Sequence, residues 1–250
     1  MRTLIFSFLL VGITTQAQVE IKKSKPLYPE KSVKTPCDFG SVESLKDIKE
    51  KVRPIFRRHK IVPNKLRRYK YVNANPKPLK KDPVLQYGHK KSLSLTPIKS
   101  WTGIDESSQG ATPPDPSGAV GLNHYVQMVN TAMQVFDKNG NSLWGPTSLS
   151  SVFPGSNNEG DPIVLYDQFA DRWFISQFQE SGNKMLIAIS KTNDPLGAWY
   201  YYDYAFDQFP DYPKFSIWGD GYYMTANMGV QNAVCFERDK MLQGDASARM

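Results

Sequence analysis

The sequence is poor in cysteine and histidine, and after its first residues it contains no apolar run long enough to span a membrane. Two cysteines, Cys37 and Cys235, are too few for a disulfide-stapled scaffold or a paired-cysteine metal motif. They are compatible with one disulfide or with two free thiols. The three histidines lack ligand-like spacing, and no glycine-rich phosphate loop or nucleophile elbow appears.

The first 17 residues have the form of a secretory signal peptide. Arg2 gives a short positive region, residues 4–13 are apolar, and Ala17 supplies a small residue before the expected cleavage site. The stretch is too short and wrongly flanked for a membrane span. An N-terminal anchor or a buried helix is the alternative interpretation. We therefore expect a secreted or cell-surface protein with no transmembrane segment after cleavage.

Charge is divided unevenly along the rest of the chain. Residues 19–100 carry 22 Lys and Arg against 7 Asp and Glu, whereas residues 101–250 carry 8 against 17. The sequence thus predicts a basic, Pro- and Lys-rich arm over residues 18–100, followed by an acidic body. Basic residues interleaved with tyrosines suit nucleic acid, but export argues against such a partner. The arm is then a strap along the acidic body, or it adheres to anionic polysaccharide or lipid headgroups.

One short helix is expected in this arm, near residues 41–52. Four apolar residues at spacings of 3, 3 and 4 form a single stripe: Val42, Leu45, Ile48 and Val52. We expect the stripe to pack on the body of the same protein, with a partner-binding helix as the alternative.

Three repeats organise the body, over residues 115–160, 161–210 and 211–250. Each begins with an aspartate, and the leading residues Asp115, Asp161 and Asp211 lie 46 and then 50 residues apart. A period of about 40–50 residues with about four short strands per unit is typical of propeller blades. We therefore predict an all-β, β-propeller-like fold with about three four-stranded blades. Because a closed propeller has about 4–8 blades, the predicted propeller is incomplete, and the sequence is interpreted as a fragment or as one unit of an assembly.

Several motifs in the body carry a family resemblance. They are PPD at 113–115, NHYVQMVN at 123–130, GDPIVLYD at 160–167, DRW at 171–173, FPDYPK at 209–214 and DKML at 239–242. Together they resemble a group of secreted, largely uncharacterised bacterial β-propeller-like proteins, many of which carry C-terminal sorting or adhesion modules. A weaker resemblance, at residues 190–199, is to five-bladed furanosidase-type glycoside hydrolases, although Ala198 replaces a proline of their motif. Neither resemblance implies catalytic residues.

The leading aspartates are the candidate site. Because each precedes the innermost strand of its predicted blade, Asp115, Asp161 and Asp211 are expected near the central axis on one face. Such carboxylates bind a hard cation such as calcium, here with help from Asn158 and Glu159, or act as acid and base on a sugar. The alternative is that each aspartate only caps the turn before its strand.

The sequence favours an exported binding or structural module for surface polysaccharide or a surface protein, with calcium as the possible bound ion. A glycoside hydrolase or lyase that uses the three aspartates is the alternative, and it is less favoured. The body is rich in aromatic residues, including Trp173, Trp199 and Trp218. Most are expected to pack between blades, while an exposed minority suits stacking on sugar rings.

Overall fold

The computed structural model of the chain describes residues 33–48, 96–105, 113–228 and 233–250. These ranges are built from antiparallel strands, and the all-β class expected from the sequence is confirmed. The strands are β1 (Asp38–Val42), β2 (Ser117–Val120), β3 (His124–Val129), β4 (Ala132–Asp137), β5 (Ser142–Ser148), β6 (Ile163–Asp167), β7 (Arg172–Gln179), β8 (Lys184–Ser190), β9 (Trp199–Ala205), β10 (Asp211–Ile217), β11 (Tyr222–Asn227) and β12 (Ala233–Phe236). A helix, α1 (Arg238–Gln243), follows β12, and 3-10 turns occur at Leu45–Asp47 and Leu149–Ser151.

The strands form three open sheets, and except for β1 the strands of each sheet are consecutive along the chain. Sheet I has the order β2-β3-β4-β5, and sheet III has the order β10-β11-β12. Sheet II has the order β1-β9-β8-β7-β6, so a strand from the N-terminal arm forms its outer edge. Apart from that strand, each sheet falls within one of the three sequence repeats.

Sheet II lies between the other two and is buried on both faces. In its central strand β8, Leu186 and Ala188 belong to a core shared with sheet I, whereas Met185, Ile187 and Ile189 belong to a core shared with sheet III. Successive side chains of a strand point to opposite faces, so a strand buried on both sides is apolar at every position. This explains the unbroken apolar run of β8.

The first strands of the three sheets are neighbours. Strand β6 packs against β2 on one side and against β10 on the other. A hydrogen bond joins two of these strands directly, because the backbone N–H of Val164 donates to Ser117 Oγ at 3.1 Å. The segments that lead into β2, β6 and β10 are therefore brought together at one end of these strands.

The prediction of a helix near residues 41–52 is wrong for the part of that segment that the structure describes. Asp38–Val42 is the strand β1, which pairs antiparallel with β9, and only Leu45–Asp47 is helical, as a single 3-10 turn. The edge of β9 offers unpaired backbone groups, and pairing with it outweighs a short isolated helix. The apolar side chains still pack on the body, since Leu45 is fully buried in the core shared by sheets I and II. Residues 49–52 lie outside the described ranges.

The structure describes the N-terminal segments predicted from the sequence only in part. The predicted signal peptide and most of the predicted basic arm lie outside the described residues. The described residues from Lys34 onward belong to one compact unit, so the boundary expected near residue 100 does not separate β1 from the body. Cys37 and Cys235 are exposed free thiols. No helix in the described ranges combines the length and apolar character that a membrane span requires.

Candidate functional site

A cleft of about 450 Å³ opens where β2, β6 and β10 begin, and we call it the strand-start cleft. Near the start of each strand, the cleft is lined by a proline, by the residue before that proline and by the one or two residues after it. The three pairs are Asp115-Pro116, Asp161-Pro162 and Tyr212-Pro213. Proline suits these positions because Pro116 and Pro162 precede their strands and Pro213 lies where the pairing of β10 is irregular, so the missing N–H is not needed for pairing.

The residue before each proline has an unusual backbone conformation. Asp115, Asp161 and Tyr212 have φ values of 39°, 45° and 54°, all in the left-handed region that non-glycine residues rarely adopt. Aspartate tolerates this region better than most residues, whereas for a bulky tyrosine it is strained. The repeated strain marks the three turns as equivalent positions of the three sheets.

This equivalence corrects the sequence prediction for the third repeat. Asp115 and Asp161 line the cleft, but the corresponding position in sheet III is Tyr212. Asp211 lies one residue earlier, is exposed, and pairs across β10 and β11 with Asn227. The structure thus brings two of the three predicted aspartates into the cleft and leaves the third at its margin.

Asn130, which the sequence did not single out, connects the two cleft aspartates. Its Nδ2 donates to Asp115 Oδ2 at 2.7 Å and to the carbonyl of Pro113 at 2.6 Å. Its Oδ1 accepts a hydrogen bond from the backbone N–H of Asp161 at 2.9 Å. One side chain therefore holds the entry loops of sheets I and II in fixed relation. The sequence holds one signal for this role. Asn130 directly follows β3, and β3 pairs with β2, the strand that Asp115 precedes.

The electrostatics of the cleft centre on Asp161, which is half-buried. Burial, together with the charges of Asp115 and Asp211, raises the pKa of Asp161 to about 6, although the cation of Lys214 opposes this shift. The charges of the two neighbouring carboxyl groups thus add to the effect of burial on Asp161. Asp161 consequently gains or loses its proton close to neutral pH.

Sheet III contributes an aromatic ring and a cation to the cleft. The ammonium group of Lys214 lies over the ring of Tyr212, 4.0 Å from its centroid. Tyr212 is 60% exposed, so the ring remains accessible to a bound molecule. The cleft thus combines carboxylates on one side with an aromatic surface and an ammonium group on the other.

The calcium site predicted from Asp115, Asp161, Asp211, Asn158 and Glu159 is not assembled. Within the described part of the chain, no three acidic, histidine or cysteine side chains come together as a metal-binding group. Glu159 instead accepts a hydrogen bond from the backbone of Glu180, and Asn158 donates to Ser148. The Glu159 side chain thus contacts the turn after β7, and the Asn158 amide nitrogen contacts the end of β5.

Comparison of the chain with protein-family models, with curated proteins and with solved structures gives no significant match.

Proposed function

We propose that the body is an exported, propeller-type binding module that holds a saccharide in the strand-start cleft. Support for the propeller arrangement comes from three sheets in chain order, from the cores between successive sheets, and from the adjacency of β2, β6 and β10. In a propeller the first strand of each blade lies nearest the axis. The sheets are then blades, and the cleft lies at the axial end of their innermost strands.

The observation that carries the proposal is the convergence of three equivalent turns on one cleft. Two of these turns supply the carboxyl groups of Asp115 and Asp161, and the third supplies the ring of Tyr212. Ligand clefts typically have volumes of about 300–1,000 Å³, and this one falls within that range. Because Asn130 fixes two of the loops, little ordering remains to be done when a ligand binds.

The chemistry of the cleft suits a saccharide. Carboxylates accept strong hydrogen bonds from hydroxyl groups, which a sugar offers on every ring. The apolar C–H face of a sugar ring packs against an aromatic ring, and Tyr212 is exposed for such contact. Lys214 adds hydrogen-bond donors beside that ring. The form of residues 1–17, which is that of a signal peptide, favours a ligand outside the cell such as a surface polysaccharide.

Affinity electrophoresis tests the proposal. Native gels containing hydroxyethyl cellulose, β-1,3-glucan, mannan or an anionic polyuronate are expected to slow the wild type in at least one case. Tyr212→Ala and Asp115→Asn should weaken that retardation at least tenfold, whereas Leu143→Ala, at an exposed position of β5, should not. If a gel slows the wild type and both cleft variants equally, the cleft is not the binding site.

A glycoside hydrolase or lyase is the second candidate, and the raised pKa of Asp161 favours it. A carboxyl group with a pKa of about 6 is well placed to donate a proton near neutral pH, and Asp115 supplies a second carboxyl group nearby. Release of reducing sugar from the same polymers, abolished in Asp161→Asn without loss of thermal stability, would identify an enzyme. Retardation without any product identifies a binding module.

A further inference from the structure

Two exposed aromatic side chains lie together at the opposite end of the strands that form the cleft. Phe169 follows the end of β6 and Trp218 follows the end of β10. They are 63% and 66% exposed, and their ring centroids are 5.8 Å apart with an interplanar angle of 75°. We call this pair the aromatic platform. Large aromatic side chains in such positions add nothing to a core and are typical of binding surfaces.

Hydrogen bonds to the buried side chain of Asp167 hold the turn that carries Phe169. The backbone N–H groups of Phe169 and Ala170 donate to Asp167 Oδ1 at 3.0 and 3.2 Å. Asp167 is fully buried and accepts a further hydrogen bond from Tyr222 Oη at 2.9 Å. A buried network therefore holds the backbone of the turn that carries Phe169.

The same network reaches the turn that carries Trp218. Arg238 is 6% exposed and binds Asp167 through Nε at 2.7 Å and through Nη2 at 3.1 Å. Its Nη1 donates to the carbonyl of Gly219 at 3.2 Å, next to Trp218. Its guanidinium carbon lies 6.0 Å from the centre of the Phe169 ring. Arg238 thus joins the turns of sheets II and III and holds both aromatic residues in place before any ligand arrives.

Apolar exposure at this end recurs in sheet I. Leu122, in the turn between β2 and β3, is 69% exposed. The first hairpin turn of each sheet therefore presents one large apolar side chain: Leu122, Phe169 and Trp218. This repeated placement separates the feature from the occasional apolar residue that any surface carries.

We propose that Phe169 and Trp218 form a second saccharide site, a stacking platform for the pyranose rings of a neutral polysaccharide. The proposal extends the saccharide binding proposed above, but it depends on different residues at the other end of β6 and β10. Because the two rings lie at a steep angle, they offer a face and an edge to successive sugar units. Binding loses little conformational entropy because the turns that carry the rings are already held.

The charges around the platform select a neutral ligand. The exposed charged residues beside it, Asp220 and Asp239, are acidic, and Asp239 also contacts Arg238. The two nearby cations are engaged: Arg238 is buried and paired with Asp167, and half-buried Arg172 donates to the carbonyls of Ala170 and Asp171. Exposed carboxylates repel phosphate, uronate and acidic lipid headgroups, but they accept hydrogen bonds from sugar hydroxyls. Polysaccharides that carry negative charge are therefore expected to bind the platform poorly.

The test uses the full chain and the variants Trp218→Ala and Phe169→Ala in the same affinity gels. A neutral polymer (hydroxyethyl cellulose, β-1,3-glucan or mannan) should slow the wild type, and each variant should bind it at least tenfold more weakly. In the polyuronate gel the two variants should migrate like the wild type, because any binding of an anionic polymer does not involve the platform. Leu143→Ala is the matched control, and thermal unfolding of all variants checks that the fold is kept.

The outcomes separate this inference from the cleft proposal. Loss of retardation in Trp218→Ala but not in Tyr212→Ala supports the platform and overturns the cleft, and the reverse result overturns the platform. Retardation by no neutral polymer also overturns the platform. If Trp218→Ala instead lowers the mass of a dimer measured by light scattering while polymer binding is unchanged, the surface is a protein contact and the inference is wrong.

Discussion

The side chain of Asn130 binds the carboxylate of Asp115, with 2.7 Å between Nδ2 and Oδ2. Through its other amide atom it also accepts the backbone N–H of Asp161 at 2.9 Å. Asn130 directly follows β3 in sheet I, whereas Asp161 precedes β6 in sheet II. A single uncharged residue thus links two sheets beside the strand-start cleft and holds together the two loops that bring carboxyl groups into it.

Replacing Asn130 tests this link. Asn130→Ala leaves the Asp161 N–H and the Asp115 carboxylate without this partner, so we expect the free energy of unfolding to fall by about 1–3 kcal/mol. Saccharide retardation should weaken at least tenfold because the loops are no longer held. Urea unfolding and affinity gels provide the measurements. Asn139→Ala, in the exposed turn after β4, should change neither, and an equal effect of both substitutions would contradict the role of Asn130.

The pKa of Asp161 predicts a pH-dependent stability. The folded chain raises this pKa from 3.8 to about 6, so the folded state holds the proton more tightly than the unfolded state. The contribution of the protonated group is therefore present at pH 4 and is lost as the pH rises to about 6. Asp161→Asn is neutral throughout and avoids this loss.

We expect the stability difference between Asp161→Asn and the wild type to be near zero at pH 4. Above pH 7 the variant should be more stable by about 1 kcal/mol, a figure reduced because solvent reaches the cleft. Thermal unfolding at pH values from 4 to 8 measures the difference. A difference that stays constant with pH would show that Asp161 has an ordinary pKa in the folded state.

The buried ion pair of Arg238 and Asp167 should be essential for stability. Arg238→Met leaves the fully buried Asp167 without its cation, and breaking such a pair typically costs about 3–5 kcal/mol. Arg249→Met is the matched control, since its partner Glu237 and Arg249 itself are both accessible to solvent. We expect urea unfolding to show a large loss for the first variant and little change for the second. Comparable losses would contradict the account of the network.

Leu45 tests whether the N-terminal segment belongs to the body. Leu45 is fully buried among residues of sheets I and II, so Leu45→Ala should lower the free energy of unfolding by about 2–5 kcal/mol. Ile98→Ala, at a position that is 96% exposed, should have no measurable effect. A Leu45 variant as stable as the wild type would mean that this segment is not packed on the body in solution.

Much of the sheet structure could be predicted from the sequence because its signals are local. Strand β8 is apolar from Met185 to Ile189, where successive side chains belong to one core and then to the other. Short turns that contain polar residues, such as residues 168–171, separate the strands. The short segment from Asp38 to Ile48 could not be predicted in this way. Its apolar spacing fits a helix, and the strand it forms depends on pairing with β9, which lies about 160 residues later in the chain.

The candidate site was predicted only in part, for a similar reason. The regular spacing of aspartates suggested that Asp211 was the third member, although the proline after Tyr212 was the better marker of equivalent turns. The role of Asn130 depends on sheets I and II being adjacent, which no local pattern reveals. Glu159 and Asn158 were assigned by proximity in sequence, but their side chains are engaged elsewhere.

The most direct test of the cleft is to locate the bound saccharide by NMR. The ¹⁵N-labelled chain would be titrated with cellohexaose, laminarihexaose and mannohexaose while its amide chemical shifts are followed. We predict that the bound sugar shifts the amides at the starts of β2, β6 and β10, above all those of Ser117, Ile163 and Lys214. Shifts confined to the turns around Phe169 and Trp218, or no shifts at all, would contradict the assignment of the strand-start cleft as a binding site.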